Sequence, residues 1–320
     1  MANKILIIVG PTASGKTGLG LLLAKKYNGE IVSADSRQVY KEIDISTGKD
    51  IEGGKWITKK GEKGHWEVGG MPIWLLDVVN PSYSFSVADY HDLAHGIIKN
   101  IWRREKLPIV VGGTGLYIKA MLDGIDTLGV PPNPKLREAY ENKTAKELLD
   151  ILFHLDSKTA ENMNRDDRQN KRRLIRKIEI LQSGVIAKKK KEFVNLDPFL
   201  IGLTAPMEVL YQKIDNRIDS WVKGGAEKEI KKLIGMGYSW ELPAISAIGY
   251  RQWKPYFEGK VKAEEVVKRW KFDEHGYARR QLTWFKRDKR IKWFDISKRK
   301  WENKVEKLFS KWYHKDAEKD

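Results

Sequence analysis

Residues 10–17 read Gly-Pro-Thr-Ala-Ser-Gly-Lys-Thr and fit the pattern G-x-x-x-x-G-K-[ST]. No other stretch restricts the fold as much, because this pattern has its chemistry only between a strand and a helix. Here it follows the apolar run Ile5–Val9 and precedes a helix-forming stretch, Thr17–Lys26. The glycines let the backbone curl so that successive N–H groups point inward, and the helix start adds a partial positive charge. Lys16 supplies a mobile cation and Thr17 a hydroxyl suited to Mg²⁺. A phosphate is therefore expected over Gly10, Pro11, Thr12, Ala13, Ser14, Gly15, Lys16 and Thr17, with Thr17 as the metal ligand. The plain alternative is a glycine turn with no ligand.

Strand-like runs recur at Lys4–Val9, Glu30–Ser33, Pro72–Val79, Pro108–Val111 and Pro198–Leu203, with helical stretches between them. That alternation predicts an α/β fold, a P-loop NTPase-like parallel sheet flanked by helices. From about Pro131 the pattern changes: the chain is charged, strand-poor and helix-periodic. Leu148, Leu149, Ile151, Leu152 and Leu155 give one apolar stripe, and Leu174, Ile175, Ile178 and Leu181 another. The expectation is a small all-helical domain at 131–192, inserted into a core made of 1–130 and 193–320. The Lys188–Lys191 run reads as a solvated linker near the return to the core.

The chain carries 60 basic and 43 acidic side chains, a net charge of +17. Such an excess speaks about partners rather than fold. Nucleic acid leads, an anionic membrane surface follows, and a merely solvated basic surface is the plain alternative. Between Arg279 and Lys304 eleven basic residues stand against three acids, interleaved with Trp284, Phe285, Trp293, Phe294 and Trp301. That mixture suits a surface that tracks a nucleic-acid backbone and offers stacking. Read plainly, it is an amphipathic helix with most tryptophans in the core. The C-terminal third is expected to be helical. The absence of cysteine excludes disulfides, cysteine-liganded zinc and cysteine nucleophiles. Ile5–Val9 is too short for a signal segment, and no apolar stretch approaches the roughly 18 residues of a membrane span. A cytoplasmic protein, with no membrane role, is expected.

A P-loop alone does not name a reaction. An NTPase also places an acid at the end of a later apolar strand. Here Pro108–Val111 runs into Gly112-Gly113-Thr114-Gly115-Leu116-Tyr117, with no carboxylate. Asp35, just past the second strand, is better placed. Ligands of open α/β sheets bind off the carboxyl ends of the strands, which gathers Thr12, Asp35 and Thr114 around one crevice. Asp35 could hold Mg²⁺ through water or accept a proton; it could equally cap a helix.

Beyond the P-loop, Ser33–Tyr40 as SADSRQVY, Gly112–Tyr117 as GGTGLY, Arg173-Leu174-Ile175-Arg176 with Glu179, Ala247–Tyr250 as AIGY and Tyr277–Phe285 as YARRQLTWF stand in that order. Together they resemble the tRNA dimethylallyltransferase family over almost the whole chain. The resemblance implies transfer of a dimethylallyl group from dimethylallyl diphosphate to N6 of adenosine 37, beside the tRNA anticodon. The P-loop would then grip the diphosphate rather than ATP, so no Walker-B acid is needed. It implies Asp35 as general base, with Thr12 and Lys16 also in the catalytic set. Either Arg279 or Arg280 would help hold the diphosphate. Asp35, Ser36, Arg37, Gln38, Thr114 and Gln281 would meet the anticodon stem-loop, with Arg137, Arg172, Arg173 and Arg176 of the inserted helices. Mg²⁺ is the implied cofactor and a monomer the implied state. The chain departs from the family pattern at Ser46–Asp50, at Ile73–Asp77 and in the glycine- and lysine-rich stretch Lys55–Gly70, so the loops near the entrance are open to question. Rival readings are prenyl transfer to a free adenine nucleotide, a P-loop small-molecule kinase, and a non-catalytic nucleic-acid-binding protein.

Overall fold

The computed structural model describes residues 3–49, 53–58, 64–185, 193 and 195–315. Eight strands form one sheet: β1 (Asn3–Val9), β2 (Gly29–Ser33), β3 (Gly54–Ile57), β4 (His65–Val68), β5 (Met71–Trp74), β6 (Leu107–Gly112), β7 (Leu196–Thr204) and β8 (Lys292–Asp295). Their order is β3-β4-β5-β2-β6-β1-β7-β8. From β5 to β8 all neighbours are parallel, while β3 and β4 add an antiparallel hairpin at one edge. Ile5–Val9 and all of β6 are buried, as continuous apolar strands covered on both faces must be.

The described helices are α1 (Lys16–Lys26), α2 (Val87–Arg103), α3 (Gly115–Asp123), α4 (Pro134–Tyr140), α5 (Ala145–Leu155), α6 (Ser157–Glu161), α7 (Arg165–Arg168), α8 (Lys171–Gln182), α9 (Met207–Lys223), α10 (Ala226–Gly235), α11 (Lys254–Phe257), α12 (Ala263–Phe285) and α13 (Trp301–Tyr313). Leu19 and Leu23 of α1 and Val305 and Phe309 of α13 join Leu6, Ile8, Ile109 and Ile201 of the sheet in one core cluster. Another is built where Ile214 and Ile218 of α9 meet Trp270 and Ala278 of α12. Among the described residues no helix is long and apolar enough to cross a membrane.

The chain divides into two compact units, Met1–Met121 with Phe193–Asp320, and Leu122–Glu192. The helical unit begins ahead of the expected boundary at 131. The reason is local: Arg176 on α8 donates to the Thr127 carbonyl at 2.8 Å and the Val130 carbonyl at 2.6 Å, tying that turn to the helices. Within this unit Leu148, Leu152, Leu174 and Ile178 are buried together; Leu149, Ile151, Ile175 and Leu181 pack around them, and Leu155 is exposed. The Lys188–Lys191 run lies outside the described residues.

Three local expectations need correction. The C-terminal third is not wholly helical: Lys292–Asp295 pairs with Ile201–Thr204 as an edge strand. Its Lys-Trp-Phe-Asp alternation fits a half-buried strand. The Lys55–Gly70 stretch contributes the β3–β4 hairpin, with Trp56 opposite Trp66. The run Pro72–Val79 is a strand only as far as Trp74. Leu75 and Asp77 then take positive φ of 66° and 52°. That kink aims Asp77 at the fully buried Lys49, which also bonds the Tyr40 carbonyl at 2.6 Å. Of the tryptophans, Trp253 and Trp270 are wholly buried, Trp56 and Trp284 are exposed, and the rest are half-buried.

Glu30, 1% exposed on β2, accepts from Arg104, from Lys106 at 2.9 Å and from Trp74 Nε1 at 2.8 Å. Burial alone would raise this carboxyl; the three donors overcome it and hold it at about 2. Stability from this clamp is full above the ordinary glutamate value of 4.5 and fades as pH falls toward 2. Glu30→Gln is expected to lose about 2 kcal/mol at pH 7, less than a fully buried pair because Arg104 and Lys106 reach solvent. Urea titrations at pH 7 and pH 3.5 check it: the gap between variant and wild type should narrow at the lower pH.

Candidate active site

A cavity of about 400 Å³ opens over the carboxyl ends of β1, β2 and β6. Its wall includes Thr12, Ala13, Lys16 and Thr17 from the P-loop and the start of α1, and Asp35 to Gln38 after β2. Gly112 and Gly113 close it at the end of β6. A Cβ on Gly112 would stand 2.2 Å from the Ala34 carbonyl oxygen, and one on Gly113 would stand 2.1 Å from the Gln281 amide. At Gly112 the obstacle is backbone, so a side chain there would force the Ala34 turn apart; at Gly113 a side chain would displace the Gln281 amide.

The lining carries five cations (Lys16, Arg37, Arg217, Arg251 and Arg280) and two carboxylates (Asp35 and Glu274). The balance favours a strongly anionic ligand. Burial, and then the Arg217 guanidinium, lower the Lys16 ammonium to about 8. Its Nζ donates to the Pro11 carbonyl at 2.7 Å. Arg217, on α9, donates to the Thr12 hydroxyl and lies 3.6 Å from Glu274 of α12. Burial raises the Glu274 carboxyl, and Arg217 opposes that rise.

Asp35 Oδ1 accepts the Arg37 backbone N–H at 2.8 Å. Among the described residues Oδ2 makes no hydrogen bond, and Asp35 is part of the cavity wall. Burial and then Asp35 push the Tyr277 phenol up. The rim segment Ser46–Gly48 is held from below: Glu229 accepts from the Asp44 and Ile45 amides at 3.1 and 3.0 Å.

Gln281 joins the loops. Its Oε1 accepts the Thr12 amide at 2.8 Å and its Nε2 donates to the Gly113 carbonyl at 3.1 Å. Thr114 Oγ1 accepts the Ser36 amide at 3.0 Å. Three loops from three strand ends are thereby one assembly, with the Gly10–Thr17 loop and Asp35 on one cavity.

A family profile described as "IPP transferase" matches residues 38–288, and one described as "Isopentenyl transferase" matches residues 3–54. The chain belongs to the IPP transferase family. Curated relatives named tRNA dimethylallyltransferase include one from Roseiflexus sp. (strain RS-1), 39% identical over 88% of this chain and 90% of the relative. Another, from Carboxydothermus hydrogenoformans, is 38% identical over 97% of each chain. The crystal structure of the full-length tRNA isopentenylpyrophosphate transferase from Bacillus halodurans superposes with a TM-score of 0.70 at 34% identity, covering 99% of this chain and 98% of that one. A eukaryotic dimethylallyltransferase captured acting on tRNA gives a TM-score of 0.70 at 26% identity, over 91% of this chain and 73% of that one.

Within this family member, Thr12, Ala13, Lys16, Thr17, Asp35, Ser36, Arg37, Gln38 and Arg280 line the cavity. Gly10, Pro11, Ser14 and Gly15 shape the loop without lining it; the Ser14 hydroxyl is buried and unpartnered among the described residues. Of the two candidate arginines, Arg280 is in the cavity wall, whereas Arg279 is not and bonds the Tyr211 hydroxyl at 2.5 Å. Gln281 is a buried strut rather than a surface for RNA, because both ends of its amide are already bonded. Arg37 and Gln38 spend side-chain donors on the Pro243 and Thr47 carbonyls. In the helical unit Arg137 and Arg176 grip the buried Glu179 at 2.6 and 2.9 Å, Arg173 pairs with Asp167, and Arg172 is exposed. Sequence reasoning missed Arg217, Arg251, Glu274 and Trp221, all in the lining. Glu274 was findable: positions 274, 277 and 281 repeat on one helical face. Arg217 and Trp221 sit in no motif.

Proposed function

We propose that this chain transfers a dimethylallyl group from dimethylallyl diphosphate to N6 of adenosine 37, next to the anticodon in tRNA, and releases diphosphate. The observation that carries the reading is one cavity in which a P-loop with four further cations faces Asp35, while the end of β6 contributes glycines and no acid to the wall. The names of the relatives support the acceptor and the donor.

The leaving diphosphate rests on the P-loop amides, Lys16, Arg217 and Arg280, which stabilise its growing charge. The C1–O bond of the donor breaks and N6 bonds to C1. N6 is a weak nucleophile because its lone pair is delocalised, so Asp35 takes the N6 proton. The adenine must leave its stack to reach this depth, at a cost of a few kcal/mol. Phosphate contacts from the basic surface offset that cost.

The residues fit Mg²⁺ of the kind that keeps most of its shell on phosphate and water: the Thr17 hydroxyl and the Asp35 carboxylate share the cavity, and no cluster of three acidic or histidine ligands exists among the described residues. Held there, Mg²⁺ would neutralise diphosphate charge.

Incubation with labelled dimethylallyl diphosphate and unmodified tRNA tests the reading, with AMP and ATP as competitors. Label should appear in tRNA, with neither labelled AMP nor ATP consumption; label in AMP alone would overturn it. A second expectation concerns Lys16. A bound diphosphate favours its charged form, so binding draws in a proton wherever free Lys16 is neutral, above pH about 8. Calorimetry in buffers of different ionisation heat should show uptake of about one proton at pH 9 and much less at pH 7. Lys16→Arg should abolish that difference.

A further inference from the structure

Most of the cavity wall is charged or polar, yet the donor in the reaction proposed above carries a branched apolar tail. Apolar surface is concentrated in one place. Ala13, Trp221 and Ile248 line the cavity and pack together over the buried Ile214, Ile218 and Trp270. Val111, which also lines the cavity, is only 5% exposed and offers little area. The tail therefore has one wall to lie on.

Trp221 forms the bulk of that wall and has little room to move. The Arg217 guanidinium sits over its ring at 4.5 Å. Trp270 stacks at 5.9 Å with planes 21° apart. On the third side is Gly48, where a Cβ would stand 3.4 Å from the indole. Arg217 and Trp221 lie one turn apart on α9, so the same helical face presents a cation to the diphosphate and an apolar stop beside it. A longer tail would have to displace a ring packed on three sides, and close-packed groups resist that.

We propose that Trp221 is the end wall of the prenyl pocket and restricts the donor to a single isoprene unit. This rests on the prenyl-transfer reading and adds the residue that sets donor length. Removing the indole takes the largest apolar side chain out of the wall it shares with Ala13 and Ile248.

The test compares kcat/KM for dimethylallyl and geranyl diphosphate, with unmodified tRNA as acceptor, in wild type, Trp221→Ala and Trp221→Leu. Wild type should favour the shorter donor by about 100-fold or more. Trp221→Ala should move the geranyl-to-dimethylallyl ratio up by at least about tenfold, and Trp221→Leu by less. A general loss of folding lowers both rates and leaves their ratio alone. Should Trp221→Ala fail to fold, Trp221→Leu carries the same directional test. An unchanged ratio in active variants, or a wild type that uses both donors equally, would overturn the wall. If wild type transfers neither group to tRNA, the reaction itself is refuted. The wall is then read from calorimetric binding of the two diphosphates, where the same shift in ratio is required.

Discussion

Asp35→Asn should lower kcat for tRNA prenylation by about 10²-fold or more, the general-base range, and change tRNA affinity little. The substitution keeps the shape and keeps an oxygen for the Arg37 amide, so the turn after β2 retains its 2.8 Å bond. What disappears is the ability to take a proton from N6. Single-turnover assays with saturating donor, run beside filter-binding of tRNA, separate the two. Near-normal turnover in the variant would remove Asp35 from its role.

The second large effect belongs to a residue no motif announces. Arg217→Gln should lower kcat/KM for dimethylallyl diphosphate by about 10³-fold, equivalent to about 4 kcal/mol. Two losses combine. The diphosphate loses a half-buried cation that touches the Thr12 hydroxyl, and the buried Glu274 is left facing the anion without its partner at 3.6 Å. An unpaired buried charge is the costly half of a broken pair. Adding Glu274→Gln should therefore restore about tenfold, since it removes the repelling carboxylate without returning the cation. A double-mutant cycle on kcat/KM measures this coupling; strict additivity would show that the pair is not linked.

Much of the site was legible because its residues sit in short segments tied to strand ends. Gly10–Thr17, Asp35 and Gly112–Thr114 each follow an apolar run, and the carboxyl-end rule puts them together before any coordinate is known. Arg280 could not be separated from Arg279, because neighbours on a helix differ by a rotation that only packing reveals; here Tyr211 claims Arg279. Arg217 and Trp221 were invisible for the same reason: their place depends on how α9 lies against α12. The bracing bonds of Gln281 were not legible, because a glutamine reads as a polar surface group until its two partners are seen. In the fold, β8 was missed because a four-residue edge strand among lysines lacks the apolar length of a central strand. The β3–β4 hairpin was hidden by glycines and lysines that suit a loop as well as a strand edge.

The sheet order sets a timetable for synthesis. β1 is made before both of the strands it lies between, β6 and β7, and β7 begins only at Leu196. Until that stretch leaves the ribosome, the apolar ribbon Lys4–Val9 has an open side, the kind of edge that invites pairing with another chain. The phosphate loop waits longer still, because the amide of Thr12 finds its acceptor at residue 281, 269 positions downstream. A nascent chain halted between β7 and α12 therefore holds every P-loop residue and still lacks a finished catalyst. Competence arrives late and all at once, when the helix that carries Glu274, Arg280 and Gln281 closes over loops made long before it.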